Sequence, residues 1–446
     1  MKTTLDASAL QNVVHELAAA NAALRTAYPG DSGARQPVHV VYGGAHLFKS
    51  VTAERLGMLA RKSLTEYAPN GAALASAVGM KSNLLADEVY ERTMAKLQRE
   101  PVEDFRIDFE DGYGNRPDAE EDGHASAAAL EVAKAMDAKS LPPFIGIRVK
   151  PLSEELHRRS LRTLDLFLTT LLDATGGKLP DRFFITLPKI SHPAQPAALA
   201  KALDRFEERS RLPAKTLRFE IMIETTQAVF DANGRLALPL LLEASAGRCV
   251  AAHFGTYDYT ASCGITAAHQ DMLHPACDLA RSLMQVAFGS TGVWLSDGGT
   301  NVLPVPVHSG DALTETQKSE NRAAVHKAWK LHFDHIQHSL RNGFYEGWDL
   351  HPAQLPTRYA AVYSFYLGSL PVMAARLSHF IQMAARATTA GNVFDDAATG
   401  QGLLNFFLRA LNCGAVDEAE AGRLTSLTPE ELRSGSFLKI LQGRSR

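Results

Sequence analysis

Glu224 and Asp258 each follow a short apolar run, residues 218–223 and 249–254, and carboxylates so placed are hard oxygen ligands. Two such oxygens suit Mg2+, with Mn2+ as the substitute, because Mg2+ binds through one or two carboxylates and keeps positions for water and substrate oxygens. Arg148, at the end of the run 144–149, offers a permanently charged planar fork for a carboxylate or a developing oxyanion, which Lys cannot imitate bidentately. A divalent ion and an arginine together can polarise a 2-oxo acid. The structural alternative is a salt bridge from Arg148 to Glu110 or Asp111, and the residues alone leave both open.

These charges belong to a pattern. Asp108, Glu110 and Asp111 close the run 105–109, Arg148 and Lys150 the run 144–149, Lys189 the run 183–187, Glu224 the run 218–223, and Asp258 follows 249–254. Charged residues are seldom buried unless paired, so acids and bases converging on one opening call for a cation or an anionic ligand among them.

The elements that must position them are short β-rich runs alternating with helical stretches. Further runs lie at 38–42, at 293–295 and near Phe344, and Leu161, Leu164, Leu168, Leu171 and Leu172 lie on one helical face between two of them. Eight strands with helices between them predict an α/β fold, a (β/α)8 TIM-type barrel over residues 37–352. Residues 1–36 form an N-terminal helical segment, with a helix over 8–27. Residues 353–446 form a C-terminal helical extension, in which Leu404, Phe407, Leu408 and Leu411 share a face and Thr428-Pro429-Glu430-Glu431 reads as a capping box.

Composition excludes several classes. With 46 Lys+Arg against 49 Asp+Glu in 446 residues, a net charge of -3 and no long run of one sign, there is no electrostatic footprint for nucleic acid or an anionic membrane. The longest apolar run, residues 236–242, is far short of the roughly 20 residues of a membrane helix. Four cysteines without a C-x-x-C pair point to a reduced, cytoplasmic setting rather than a disulfide framework.

At the charged strand ends the sequence resembles the malate synthase and citrate lyase β-subunit superfamily of aldolase-like barrels. Asp108-Phe109-Glu110-Asp111 is similar to its D-x-E-D, Leu187-Pro188-Lys189 to its L-P-K, and Ile223-Glu224-Thr225 with Ala228-Val229-Phe230 to I-E-T-x-x-A-V-F. Gly255-Thr256-Tyr257-Asp258-Tyr259 resembles G-R-W-D-Y, and Gly347, His351, Pro352 and Gln354 resemble a closing G…H-P-x-Q. Phe394-Asp395-Asp396-Ala397-Ala398-Thr399 resembles E-D-x-A-T.

The resemblance implies that Glu224 and Asp258 ligate Mg2+ and that Arg148 holds the electrophile. It also implies that Asp396, on a C-terminal helical domain covering the barrel mouth, is the general base. Glu110, Asp111, Lys189, Gly255, Thr256 and Tyr257 are then substrate-binding or supporting residues. Read as residues alone, Asp395-Asp396 is an acidic pair at a helix N-terminus, favoured by the macrodipole. The motifs also depart from the family: Thr256 and Tyr257 replace its arginine and tryptophan.

The expected activity is a Mg2+-dependent Claisen condensation of an acyl-CoA with glyoxylate or another 2-oxo acid. The alternative is retro-Claisen or retro-aldol cleavage of the citrate lyase or malyl-CoA lyase kind, and a third reading is a non-catalytic ligand-binding homologue. Small molecules are the expected partners; an oligomer stays open. Ser296-Asp297-Gly298-Gly299-Thr300-Asn301 reads either as an anion-binding loop or as a plain glycine turn. His46 and His351 read as structural histidines.

Overall fold

The computed structural model describes residues 7–30, 33–80, 83–382, 388–390, 393–395 and 397–444. Eight parallel strands close into one barrel in chain order: β1 (Val40–Gly44), β2 (Asp104–Asp108), β3 (Phe144–Arg148), β4 (Phe183–Leu187), β5 (Arg218–Ile223), β6 (Cys249–Phe254), β7 (Trp294–Gly299) and β8 (Glu346–Asp349). Strands buried on both faces read as near-continuous apolar runs, which is why β4, β5 and β6 have the bounds expected from sequence.

The outer face of the barrel is the hydrophobic core. On β2, Phe105 and Ile107 enter the main apolar cluster, while Asp104, Arg106 and Asp108, alternating with them, face the lumen. The helix His157–Thr175 buries Leu164, Phe167, Leu168 and Leu171 in that cluster and stops at Gly176, whose φ of 65° suits glycine. Phe167 stacks on Phe183 at the start of β4, with ring centroids 5.9 Å apart. Each such aliphatic side chain contributes about 1.5–3 kcal/mol of burial as an upper estimate.

The lumen is layered. Its floor, at the strand N-termini, is an apolar plug of Phe144, Phe184, Val250 and Ala251 with Trp294. Above it Arg106 crosses the lumen from β2 to bond Thr186 on β4 (3.1 Å) and Glu220 on β5 (2.6 and 3.1 Å), and it pairs with Asp104. Next come Tyr42 and Trp348, ring centroids 4.7 Å apart, and above them the charged strand ends.

One expectation is corrected. β7 runs through Gly299, so residues 296–299 are strand rather than a loop, and Asp297 is bound to Arg281 (3.0 and 3.2 Å) and Ser339 (2.6 Å). On the helix Ala7–Ala27, expected over 8–27, Val13, Val14, Leu17 and Leu24 are exposed.

The helix Leu355–Gln382 starts after β8 at the mouth and runs down the barrel, and the helix Ala397–Cys413 then meets the strand N-termini. Gln401, Asn405 and Arg409 share a cavity of about 660 Å3 with Val38, Trp294 and Tyr345, which lie at or before the starts of β1, β7 and β8. Arg409 lies over the Tyr345 ring at 3.9 Å and donates to Gln36 (3.2 Å). The described part of this layer closes the end opposite the mouth. The expected capping box is present, with Thr428 and Glu431 bonding each other's backbone N–H.

Candidate active site

Arg148 is the fixed point of the mouth. Its Nε and Nη2 donate to the two oxygens of Asp108 (2.7 and 2.6 Å), and Nη1 lies 3.0 Å from Glu110 and 4.0 Å from Asp111. Its guanidinium lies over the Tyr42 ring at 4.6 Å and 5.9 Å from that of Trp348. Asp108 also accepts from the N–H of Glu110 (2.9 Å) and Gly112 (2.7 Å); a Cβ on Gly112 would sit 2.6 Å from Asp108 Oδ2. The fork therefore grips a carboxylate of its own chain, and the salt bridge to Glu110 is realised alongside it. Nη1 is left to Glu110 and Asp111, the acids of the loop after β2.

Lys189 follows Pro188 with φ 48°, the left-handed region, which costs a non-glycine residue about 1–3 kcal/mol. That turn directs its N–H to Glu224 Oε1 (2.6 Å). Its ammonium bonds Glu110, lies 2.9 and 3.0 Å from the Asp111 oxygens and comes within 3.8 Å of Asp258. Glu224 is 1% exposed, and a Cβ on Gly255 would lie 2.5 Å from its Oε2, so the glycine of Gly255-Thr256-Tyr257-Asp258 is what lets that carboxylate fit.

The mouth thus gathers Asp108, Glu110, Asp111, Glu224 and Asp258 against Arg148 and Lys189. Burial, with Asp258 and Glu110 beside it, pushes Glu224 up to about 8, and burial also raises Glu110. Asp111 is held below the usual carboxylate range: burial opposes this, and its hydrogen bonds to Lys189 outweigh it. A buried carboxylate that resists ionising among too few cations lacks positive charge.

The donor set fits a Mg2+ ion held by Glu224 and Asp258, an all-oxygen pair leaving other positions for water and substrate oxygens. Among the described residues no group of three or more His, Cys, Asp or Glu is gathered closely enough to hold a metal ion by itself. A site dominated by protein ligands, as for structural zinc, is therefore not formed by them.

Seven of the expected site residues, Arg148, Glu110, Asp111, Lys189, Glu224, Asp258 and Gly255, meet at the mouth. Thr256 is buried beside Gly298, its hydroxyl without a partner among the described residues. Tyr257 is turned to β7: its hydroxyl donates to Gly299 O (2.9 Å) and accepts from Asn301 N (3.0 Å), a tether between two strand ends. Lys150 points away, donating to Phe109 O (2.6 Å) and pairing with Glu121 (3.0 Å). His351 caps a turn by accepting from Ala353 N (3.2 Å). Asp396 lies outside the described residues, and the helix after it lines the cavity at the far end.

Sequence reasoning left out Asp108 as the holder of Arg148, and Tyr42 and Trp348 as the aromatic seat below it. Strand alternation was the available signal, since Tyr42 precedes Gly44 by one pleat repeat.

A family model described as a domain of unknown function (DUF6986) matches residues 17–440. No curated protein matches the sequence significantly. Among solved structures, a citrate lyase from Burkholderia xenovorans is similar at 16% identity and a TM-score of 0.56, over 88% of this chain and 96% of that chain. A malate synthase from Haloferax volcanii, in a magnesium and glyoxylate complex, is 13% identical with a TM-score of 0.45, over 91% of this chain and 97% of that one. The citrate lyase likeness shows that the barrel fold is shared, as the motifs implied. Among the described residues no helix is long and apolar enough to cross a membrane.

Proposed function

The chain belongs to the DUF6986 family, and from its mouth chemistry we propose that it forms or cleaves a carbon–carbon bond of a 2-oxo acid, with Mg2+ and an acyl thioester as the second reactant. One observation carries this: five carboxylates meet two cations at the C-terminal ends of the strands, where barrels of this kind assemble chemistry, and one of the buried ones, Glu224, is pushed up to about 8. The citrate lyase likeness is in keeping with the reading, and the motif order supports it.

Mg2+ held by Glu224 and Asp258 would supply Lewis acidity toward the 2-oxo acid. Asp108 takes Nε and Nη2 of Arg148, which fixes the guanidinium and aims Nη1 at the open side, where it can donate to an oxygen that gains charge. Tyr42 and Trp348 close the space beneath that arginine on the lumen side, while its other side meets the open mouth. The N–H of Lys189 holds Glu224 Oε1 in place. The proton acceptor expected at Asp396 lies outside the described residues.

Thiol release from acetyl-CoA with a panel of 2-oxo acids, and cleavage of the matching hydroxyacyl thioesters, would be followed with and without Mg2+. Activity that needs both Mg2+ and a 2-oxo acid or its adduct is expected. Silence in both directions across the panel would contradict the proposal and favour a ligand-binding role.

A further inference from the structure

The two cations of the mouth are unlike in their freedom to move. Arg148 is held by two bonds to Asp108, sandwiched with Tyr42 and 4% exposed, so its charge is fixed. The Lys189 side chain is 29% exposed and reaches from the turn after β4, across β3, to the acids after β2. Its ammonium is shared by Glu110, Asp111 and, at 3.8 Å, Asp258. One of the two expected metal-holding carboxylates is thus already near a positive charge, while the other, Glu224, accepts the backbone N–H of the same residue.

We propose that Lys189 is a built-in competitor of the divalent ion: its ammonium neutralises the acid seat in the metal-free protein and is driven off it when the ion binds. This rests on the proposed divalent site. Two cations among the same carboxylates repel each other at short range, so the ion and the ammonium favour different positions. The displacement needs no backbone change, because Lys189 N–H stays on Glu224 and the four-carbon stem rotates toward the open rim. There the released ammonium can meet the carboxylate of an incoming 2-oxo acid, which makes Lys189 a positioning residue that becomes available after the ion has bound. The left-handed backbone at Lys189 fits this role, since it brings the N–H and the side chain of one residue to bear on the same acid group.

The test is Mn2+ binding to the full chain, read by electron paramagnetic resonance of free Mn2+, for the wild type, Lys189→Met and Lys189→Arg. Lys189→Met should bind Mn2+ about tenfold or more tightly than the wild type, because a unit charge no longer opposes the ion. Lys189→Arg, which keeps the charge, should stay near the wild-type affinity and so reports independently of any harm done by removing the ammonium. If the wild type binds Mn2+ and Lys189→Met binds it no better, the competition is overturned while the metal site stands. Binding by Lys189→Met alone would also overturn the proposal, since the ammonium would then be a permanent occupant. If none of the three proteins binds Mn2+, the divalent site itself falls and the inference with it.

Discussion

Arg106 and Arg148 stand on neighbouring strands, one side-chain layer apart, and each is held by carboxylates that outnumber it. Around Arg106 lie Asp104, Glu220 and Glu346, all at most 1% exposed, sealed between the aromatic plug below and Tyr42 and Trp348 above. Burial this deep favours the protonated form of an excess acid, and His253 Nε2 lies 3.3 Å from Glu220. Burial next to Asp104 and Glu220 raises Glu346 well above the usual range, and burial beside Glu220 pushes Asp104 up to about 7 in spite of Arg106. The amide of Gln36, near Glu346, donates to Leu295 O (3.0 Å).

Around Arg148 the same imbalance meets solvent, since the side chains of Lys189, Asp258 and Asp111 are 29%, 43% and 58% exposed. The residue types hardly differ between the layers. Access to water decides whether an excess of acid becomes a buried proton or a place for an ion.

The largest effect that would break this comparison is at Glu224. Glu224→Gln should weaken Mn2+ binding and turnover by more than about 100-fold, the upper range seen when even an outer partner of a metal ligand is lost. Equilibrium titration and steady-state rates check it, and parent-like values would remove the metal assignment.

Arg106→Met should lower stability by about 3–5 kcal/mol in urea unfolding, the loss expected when one partner of a buried ion pair is removed, while Mn2+ binding persists. Loss of Mn2+ affinity in a folded variant would show that the two layers are not separate.

Glu346→Gln sharpens the contrast through pH. The folded state keeps a proton on Glu346 that the unfolded chain releases above about 4.5. Its contribution to stability is therefore complete below that value and declines as pH rises, by at most about 1.4 kcal/mol per pH unit. Unfolding between about pH 5 and pH 9 should show the wild type falling relative to Glu346→Gln, with parallel profiles counting against a buried proton. The smallest change is Tyr42→Phe, which removes a buried hydroxyl that has no partner among the described residues but keeps the ring under Arg148. It should alter stability by no more than about 0.5–1 kcal/mol, again by urea unfolding.

Much of the barrel was legible because parallel strands buried on both faces leave apolar runs with charges at their ends. The mouth residues followed from that register: Asp108 and Arg148 are Cα partners of adjacent strands, and Lys189 and Glu224 each lie just past a strand end. Lys150 was misplaced because it stands beyond the last paired residue, where alternation no longer dictates the face. The 296–299 segment was misread because its glycines serve close packing: Cβ atoms would lie 2.1 Å from Thr256 Oγ1 at Gly298 and 3.0 Å from Trp348 at Gly299. The tail shows the deeper limit. Helical periodicity tells which face of 397–413 is buried but not which end of the barrel it is buried against, and the length of the helix Leu355–Gln382 is what carries it past the strand N-termini.

The most direct measurement is the anomalous difference density of a crystal grown with Mn2+ and soaked with glyoxylate. One peak is expected, bonded to the carboxylates of Glu224 and Asp258, with glyoxylate oxygen beside it and Arg148 Nη1 facing the ligand. A mouth with no peak and the Lys189 ammonium still seated between Glu110 and Asp111 at saturating Mn2+, or a peak bound elsewhere, would contradict it.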